Sequence, residues 1–121
     1  MKNILIIEDD EFLRSLIKKK LVSEGFDVTS AVDGEDGIKK TEEKKPDLIL
    51  LDLILPGIDG FGVLTKLKEN QSTSSIPIII LSNLSQKEDI DKGMKLGATD
   101  YIIKAQSTPE EIAEKVKAIL K

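Results

Sequence analysis

Cysteine is absent from this chain, and so is histidine. Without cysteine there is no disulfide framework and no thiolate metal site. Without histidine there is no imidazole to move protons or to bind a metal. Any metal must be held by oxygen, which selects a hard cation such as Mg2+, with Mn2+ the alternative. An excess of basic residues is also missing. The formal net charge is −4, opposite to the electropositive footprint that direct nucleic-acid binding needs. No apolar run reaches the ~20 residues of a membrane-crossing helix. Met1-Lys2-Asn3 leads straight into a short apolar strand and then into acid, unlike a signal peptide. A cytoplasmic protein without membrane insertion is the expectation. What is present suffices for one compact domain spanning residues 1–121: 40% of the residues are hydrophobic, so the core needs no staples.

Apolar periodicity divides the chain into five strand–helix units. Ile4-Leu5-Ile6-Ile7 reads as a buried strand, followed by Glu8-Asp9-Asp10-Glu11 and an amphipathic helix carrying Leu13, Leu16, Ile17 and Leu21. Gly25 suits its stop. Phe26 to Val32 alternates loosely, as an edge strand does. Asp33 opens a second helix, whose clearest apolar anchor is Ile38. The stretch from Asp47 to Gly57 is almost wholly apolar, with one carboxylate, Asp52, in its middle; apolar side chains on both parities are the pattern of a central parallel strand covered on both faces, and Pro56-Gly57 ends it. Asp59 caps a third helix with Phe61, Leu64 and Leu67 on one face. Ile76 to Leu81 is a fourth strand. Ser85 with Glu88 predicts a capping box for a fourth helix that turns Ile90 and Met94 inward. Ala98 to Ile103 is a fifth strand. Thr108-Pro109-Glu110-Glu111 starts a fifth helix, with Ile112, Val116, Ile119 and Leu120 as its buried stripe. Strict alternation predicts an α/β fold, a doubly wound parallel sheet with helices on both faces. The three most apolar strands belong inside, which suggests the flavodoxin-like order 2-1-3-4-5.

That topology collects polar residues at one rim. Glu8 and Asp9 follow strand one, Asp52 ends strand three, Ser82 ends strand four and Lys104 ends strand five. Singly, each has an ordinary explanation: Asp10 and its neighbours can cap the first helix, a lysine is usually a surface charge, and a serine can simply turn the chain. Jointly they form a pocket at the carboxyl ends of the strands. An ionised carboxylate beside so much hydrocarbon is costly unless paired, and three carboxylates together repel. A divalent cation resolves both problems. Asp52 would then act as a nucleophile toward phosphorus, giving an aspartyl phosphate. Lys104 and the metal would neutralise phosphoryl charge, and Ser82 would donate a hydrogen bond to a phosphoryl oxygen.

These residues resemble the receiver domains of two-component response regulators, over the whole chain. Ile4 to Asp10 looks like the family's first strand and acidic pair, and Asp52 to Gly60 like its phosphoacceptor strand and loop. Ser82 matches the switch hydroxyl, Tyr101 the switch aromatic and Lys104 the family's lysine. The resemblance implies that Asp52 accepts phosphate from a sensor histidine kinase or a histidine phosphotransfer protein. It implies that Glu8, Asp9, Asp52 and the backbone carbonyl of Ile54 hold Mg2+. It also implies that Ser82 and Tyr101 move inward together, changing the surface of helix four, strand five and helix five, which a downstream protein target reads. Monomer or weak dimer is the implied state. With no effector domain after Lys121, output through a separate partner is expected, unless the chain is an excised fragment of a longer regulator.

Two departures stand out. The family usually has proline after its lysine, often in a cis peptide, whereas Ala105 stands here. A cis bond before alanine costs about 3–4 kcal/mol. Glu8 replaces the commoner aspartate, a longer arm that can reach a metal through water. Asn83, Leu84 and Ile54 would flank the route of an attacking water, and because apolar Ile54 and Leu84 orient water poorly, a long-lived phosphoryl group is expected. Two other readings share the topology. A flavin-binding electron carrier needs a glycine- and hydroxyl-rich phosphate loop where Glu8-Asp9-Asp10-Glu11 stands. An aspartate-nucleophile phosphatase needs an acid two residues after the nucleophile, where Ile54 stands.

Overall fold

The structure is a computed structural model that describes residues 1–121. Its strands are β1 (Asn3–Ile7), β2 (Asp27–Ala31), β3 (Leu48–Leu51), β4 (Ile78–Ser82) and β5 (Asp100–Ile103). They form one parallel sheet in the order β2-β1-β3-β4-β5. Helices α1 (Glu11–Ser23), α2 (Gly34–Lys44), α3 (Gly60–Glu69), α4 (Lys87–Lys95) and α5 (Pro109–Leu120) follow the strands in turn.

Strand alternation sorts the core into two layers. Ile4, Ile6, Leu48, Leu50, Ile79 and Leu81 point to one face, where Ile17 and Leu21 of α1 and Ile112 and Val116 of α5 cover them. Leu5, Ile7, Ile49, Leu51, Ile78 and Ile80 point to the other, under Val63, Leu64 and Leu67 of α3. That is why β1, β3 and β4 show no polar alternation: both of their faces are buried. The helix starts at Asp10, Asp33 and Asp59 are side-chain caps, accepting from the backbone N–H groups of Leu13, Asp36 and Gly62. The capping box of Thr108 and Glu111 forms, with Pro109 at the first position of α5.

Some expectations fail, each for a packing reason. Leu16 is exposed: the stripe of α1 that meets the sheet runs through residues 13, 17 and 21, and residue 16 lies a quarter-turn away. The box expected at Ser85 and Glu88 does not form; α4 begins at Lys87 after Gln86, with no side-chain cap bond. Leu84 explains part of this, because its N–H donates to Ser82 Oγ and its carbonyl accepts from Tyr101, holding the preceding loop out of the helix. Met94 points outward, and Gly93 is the buried residue of α4. A Cβ on Gly93 would stand 2.5 Å from Ile80 Cδ1 and 3.5 Å from the Tyr101 ring, so the helix approaches the sheet only where a side chain is missing. Helix α2 is likewise buried through Gly34, Gly37 and Thr41, with Ile38 only partly covered.

One glycine bears directly on the rim. The N–H of Gly60 donates to the Leu53 carbonyl at 2.9 Å. A Cβ there would lie 2.5 Å from Leu53 Cα and closer still to the Asp52 carbonyl oxygen. Backbone cannot swing aside as a side-chain tip can. Gly60→Ala is therefore expected to cost about 1–3 kcal/mol of stability, the usual scale of overpacking, in urea denaturation monitored by circular dichroism. An unchanged midpoint would show that the start of α3 yields freely.

Candidate functional site

Register builds the site. Ile7 pairs with Leu51 and Leu51 with Ile80, while Ser82 pairs with Ile103. The residues just beyond these pairs therefore emerge together at the carboxyl rim. Asp52 N–H donates to the Ile7 carbonyl at 3.0 Å and Glu8 N–H to the Ala31 carbonyl at 3.0 Å, so each acid is held by the ladder it terminates. Glu8 is 2% exposed and Asp52 4%. Such burial demands a partner for each charge.

Lys104 is that partner. Its ammonium lies 2.7 Å from Glu8 Oε1 and 3.0 Å from Asp52 Oδ2. Asp52 Oδ1 accepts from the Ile54 N–H at 3.3 Å, and Glu8 Oε2 from the Asp10 N–H at 3.1 Å. Glu8 Oε1 receives no directed hydrogen bond, so proximity to the lysine charge is all that compensates it. Burial raises the Glu8 carboxyl above its ordinary value; the Lys104 contact opposes that shift and the Asp52 charge adds to it. Burial by itself would lower Lys104, yet the two carboxylates outweigh it and its ammonium is held above the usual lysine range. Lys104 is therefore charged at neutral pH, and its stabilising contribution is full below the ordinary lysine value and lost as pH rises from there through the elevated one.

Asp9 is exposed beside this pair. One carboxylate oxygen from each of Glu8, Asp9 and Asp52 can be chosen so that all three lie within 4.8 Å of one another. Three carboxylates against one ammonium leave two formal negative charges over. An all-oxygen donor set, a surplus of negative charge and a buried carboxylate oxygen compensated only by the shared lysine together fit a hard divalent cation.

The remaining residues expected at the rim are placed as follows. Ser82 is fully buried as the last residue of β4, and its Oγ accepts from Leu84 N–H at 3.2 Å. Ile54 lies in the loop after Asp52 and is 62% exposed. Tyr101 is half-buried: its ring packs on the core and its hydroxyl donates to the Leu84 carbonyl at 2.5 Å. Leu84 also packs on the core rather than standing free over the site. The peptide between Lys104 and Ala105 is trans, since the chain contains no cis peptide bond. Ala105 instead uses its N–H, which donates to Asn83 Oδ1 at 2.9 Å.

One residue and one contact near the site leave no signal in the sequence. Arg14, the chain's only arginine, donates to the Glu8 carbonyl at 3.0 Å and ties α1 to the end of β1. Its helical position hid it, because a charged residue on an amphipathic helix normally faces water. The Asn83–Ala105 bond joins two loops distant in sequence, which no local pattern announces.

A family model for the response regulator receiver domain matches residues 4–117. The alkaline phosphatase synthesis transcriptional regulatory protein PhoP of Bacillus subtilis is 42% identical over 120 residues, covering 99% of this chain and 49% of that protein. The DNA-binding dual master transcriptional regulator RpaA of Synechocystis is 40% identical over 121 residues, covering 100% of this chain and 50% of RpaA. This chain thus spans about half the length of the curated relatives it matches. Among solved structures, a CheY-like response regulator receiver domain protein from Methanospirillum hungatei superposes with a TM-score of 0.92 at 29% identity, covering 99% of this chain and 94% of that one. The BeF3-activated N-terminal receiver domain of Klebsiella pneumoniae RstA gives 0.91 at 29% identity, covering 99% of both chains.

Proposed function

Because this chain belongs to the response regulator receiver domain family, whose members are phosphoryl-accepting signalling switches, we propose that Asp52 is its phosphoacceptor. The observation that carries the assignment is the Lys104 ammonium bridging Glu8 and Asp52 at the rim of the sheet, with Asp9 alongside. Neither alternative reading of the topology has support: no phosphate-cradling loop follows β1, and an exposed isoleucine occupies the place of a second catalytic acid.

In the proposed step an Asp52 carboxylate oxygen attacks phosphorus. The bond from phosphorus to the donor's imidazole nitrogen breaks, and its electron pair returns to that nitrogen, which takes up a proton. Glu8, Asp9, Asp52 and the Ile54 carbonyl would hold Mg2+. When bound, the cation neutralises carboxylate and phosphoryl charge, which is the main task in such transfers. Lys104 offers its ammonium to one phosphoryl oxygen and Ser82 its hydroxyl proton to another. Tyr101 and Leu84 link that hydroxyl to α4 and β5, so a pull on Ser82 reaches the surface a target protein reads. A histidine kinase or histidine phosphotransfer protein is the proposed donor, and the cytoplasm the proposed location.

Incubation with a small phosphodonor and MgCl2, followed by intact mass measurement, tests this reading. The wild-type chain is expected to gain one phosphoryl group; a chain that gains none with any donor overturns it. The lifetime of the product is a separate expectation. Ile54 presents no polar group to a water attacking the product, so Ile54→Asn is expected to speed autodephosphorylation severalfold, on the order of one hydrogen bond's worth. Equal rates would remove Ile54 from the water's path. Leu84→Glu is the less direct probe, because Leu84 is packed against the core.

A further inference from the structure

The lysine at the centre of the site stands on short backbone. β5 ends at Ile103, and Lys104 opens a three-residue 3-10 turn, Lys104–Gln106. That turn closes through one bond, from Ser107 N–H to the Lys104 carbonyl at 3.3 Å. The first N–H groups of any helical turn lack partners within it, and Ile103 provides no side-chain cap. The Ala105 N–H finds its acceptor on another loop, in Asn83 Oδ1 at 2.9 Å.

Asn83 directly follows Ser82, and Ala105 directly follows Lys104. The bond therefore joins the residues next to the two side chains that would hold the phosphoryl group. The same loop is tied again on the other side of Lys104, where Tyr101 donates to the Leu84 carbonyl. The segment 82–84 is thus fastened to β5 before the lysine and to the 3-10 turn after it. A proline at 105, the residue the family usually carries there, has no N–H and would leave Asn83 without this donor.

We propose that Asn83 is a positioning residue for phosphoryl transfer: through the Ala105 N–H it fixes the backbone from which Lys104 reaches Asp52. The proposal rests on the phosphoacceptor reading of Asp52. Asn83 itself touches neither the acids nor Lys104's ammonium. Its removal should leave the metal site intact and slow the transfer that the ammonium assists.

The test uses the whole chain, a small phosphodonor and MgCl2. Asn83→Ala is expected to lower the phosphorylation rate at saturating MgCl2 on the order of 2- to 10-fold, the worth of one ordinary hydrogen bond. The MgCl2 concentration giving half-maximal rate should not move, and exchange of the Ala105 amide with deuterium should quicken. In the Ala105→Pro background, where the donor is gone, Asn83→Ala should have no further effect on rate. An equal fall in both backgrounds, or no fall in the wild-type background, overturns the proposal. If Ala105→Pro does not fold, amide exchange decides: an Ala105 amide no faster in Asn83→Ala overturns it. A wild type that gains no phosphoryl group overturns the phosphoacceptor reading and this proposal with it. A wild type that phosphorylates beside an unaffected Asn83→Ala overturns this proposal alone.

Discussion

Asp52→Asn is expected to gain no phosphoryl mass under conditions in which the wild-type chain does, while becoming no less stable. The chemistry follows from the amide, which is not a nucleophile toward phosphorus at neutral pH. The stability follows from charge. Glu8 and Asp52 are both buried and share one ammonium. Removing one charge relieves their repulsion and leaves Glu8 with Lys104 as a one-to-one pair. In the absence of divalent cation the variant should therefore melt no lower than the wild type. Added MgCl2 should raise its melting temperature less than that of the wild type. Intact mass and thermal melts with and without MgCl2 measure all three quantities. A phosphoryl adduct on Asp52→Asn would move the chemistry elsewhere. A marked loss of stability would mean that Asp52 serves the fold, not the ligand.

Lys104→Met should do the opposite to the fold. Removing the cation leaves two carboxylates in a site where neither is more than a few per cent exposed. Breaking a buried ion pair from one side costs about 3–5 kcal/mol when the remaining charge has no escape. Here Glu8, already raised toward protonation by burial, has one, so the expected loss is about 2–3 kcal/mol, below that range. Because Lys104 repels a divalent ion, the variant should be rescued by MgCl2 more than the wild type is; occupancy at 100 times the dissociation constant contributes about 2.7 kcal/mol. The phosphorylation rate should fall on the order of 100- to 1,000-fold, as when one preorganised donor to a developing negative charge is lost. Urea melts at two MgCl2 concentrations check the first part and phosphodonor kinetics the second. A variant as stable as wild type without metal would show that the contacts of Lys104 with Glu8 and Asp52 carry no energy. The contrast between the two substitutions is the stronger test, since a merely structural cluster would weaken in both.

Much of this architecture was legible along the chain. The both-parity apolar runs of β1, β3 and β4 named the interior strands, and the acids at 10, 33 and 59 marked the helix starts that the structure shows. Glu8, Asp9, Asp52, Ser82 and Lys104 were drawn to one rim by strand ends alone, and the register brings them there. Helix α4 was read least well. It meets the sheet through Gly93, and a glycine carries no hydrophobic signal; Met94, which does, is turned outward.

Taken alone, the amino-acid order determines which segments are strands and helices, which strands lie inside, and which polar groups stand at strand ends. It can do so because burial leaves a period of two on a strand and 3.6 on a helix. Only the folded chain decides that one lysine serves both Glu8 and Asp52, that Arg14 grips the end of β1, and that Asn83 holds the backbone beside Lys104. Those contacts are polar bonds, with no apolar pattern to foretell them; the Lys104 and Asn83 contacts join residues far apart in sequence, while Arg14 reaches Glu8 from the first turn of α1. They exist because sheet register sets the ends of β1, β3, β4 and β5 side by side.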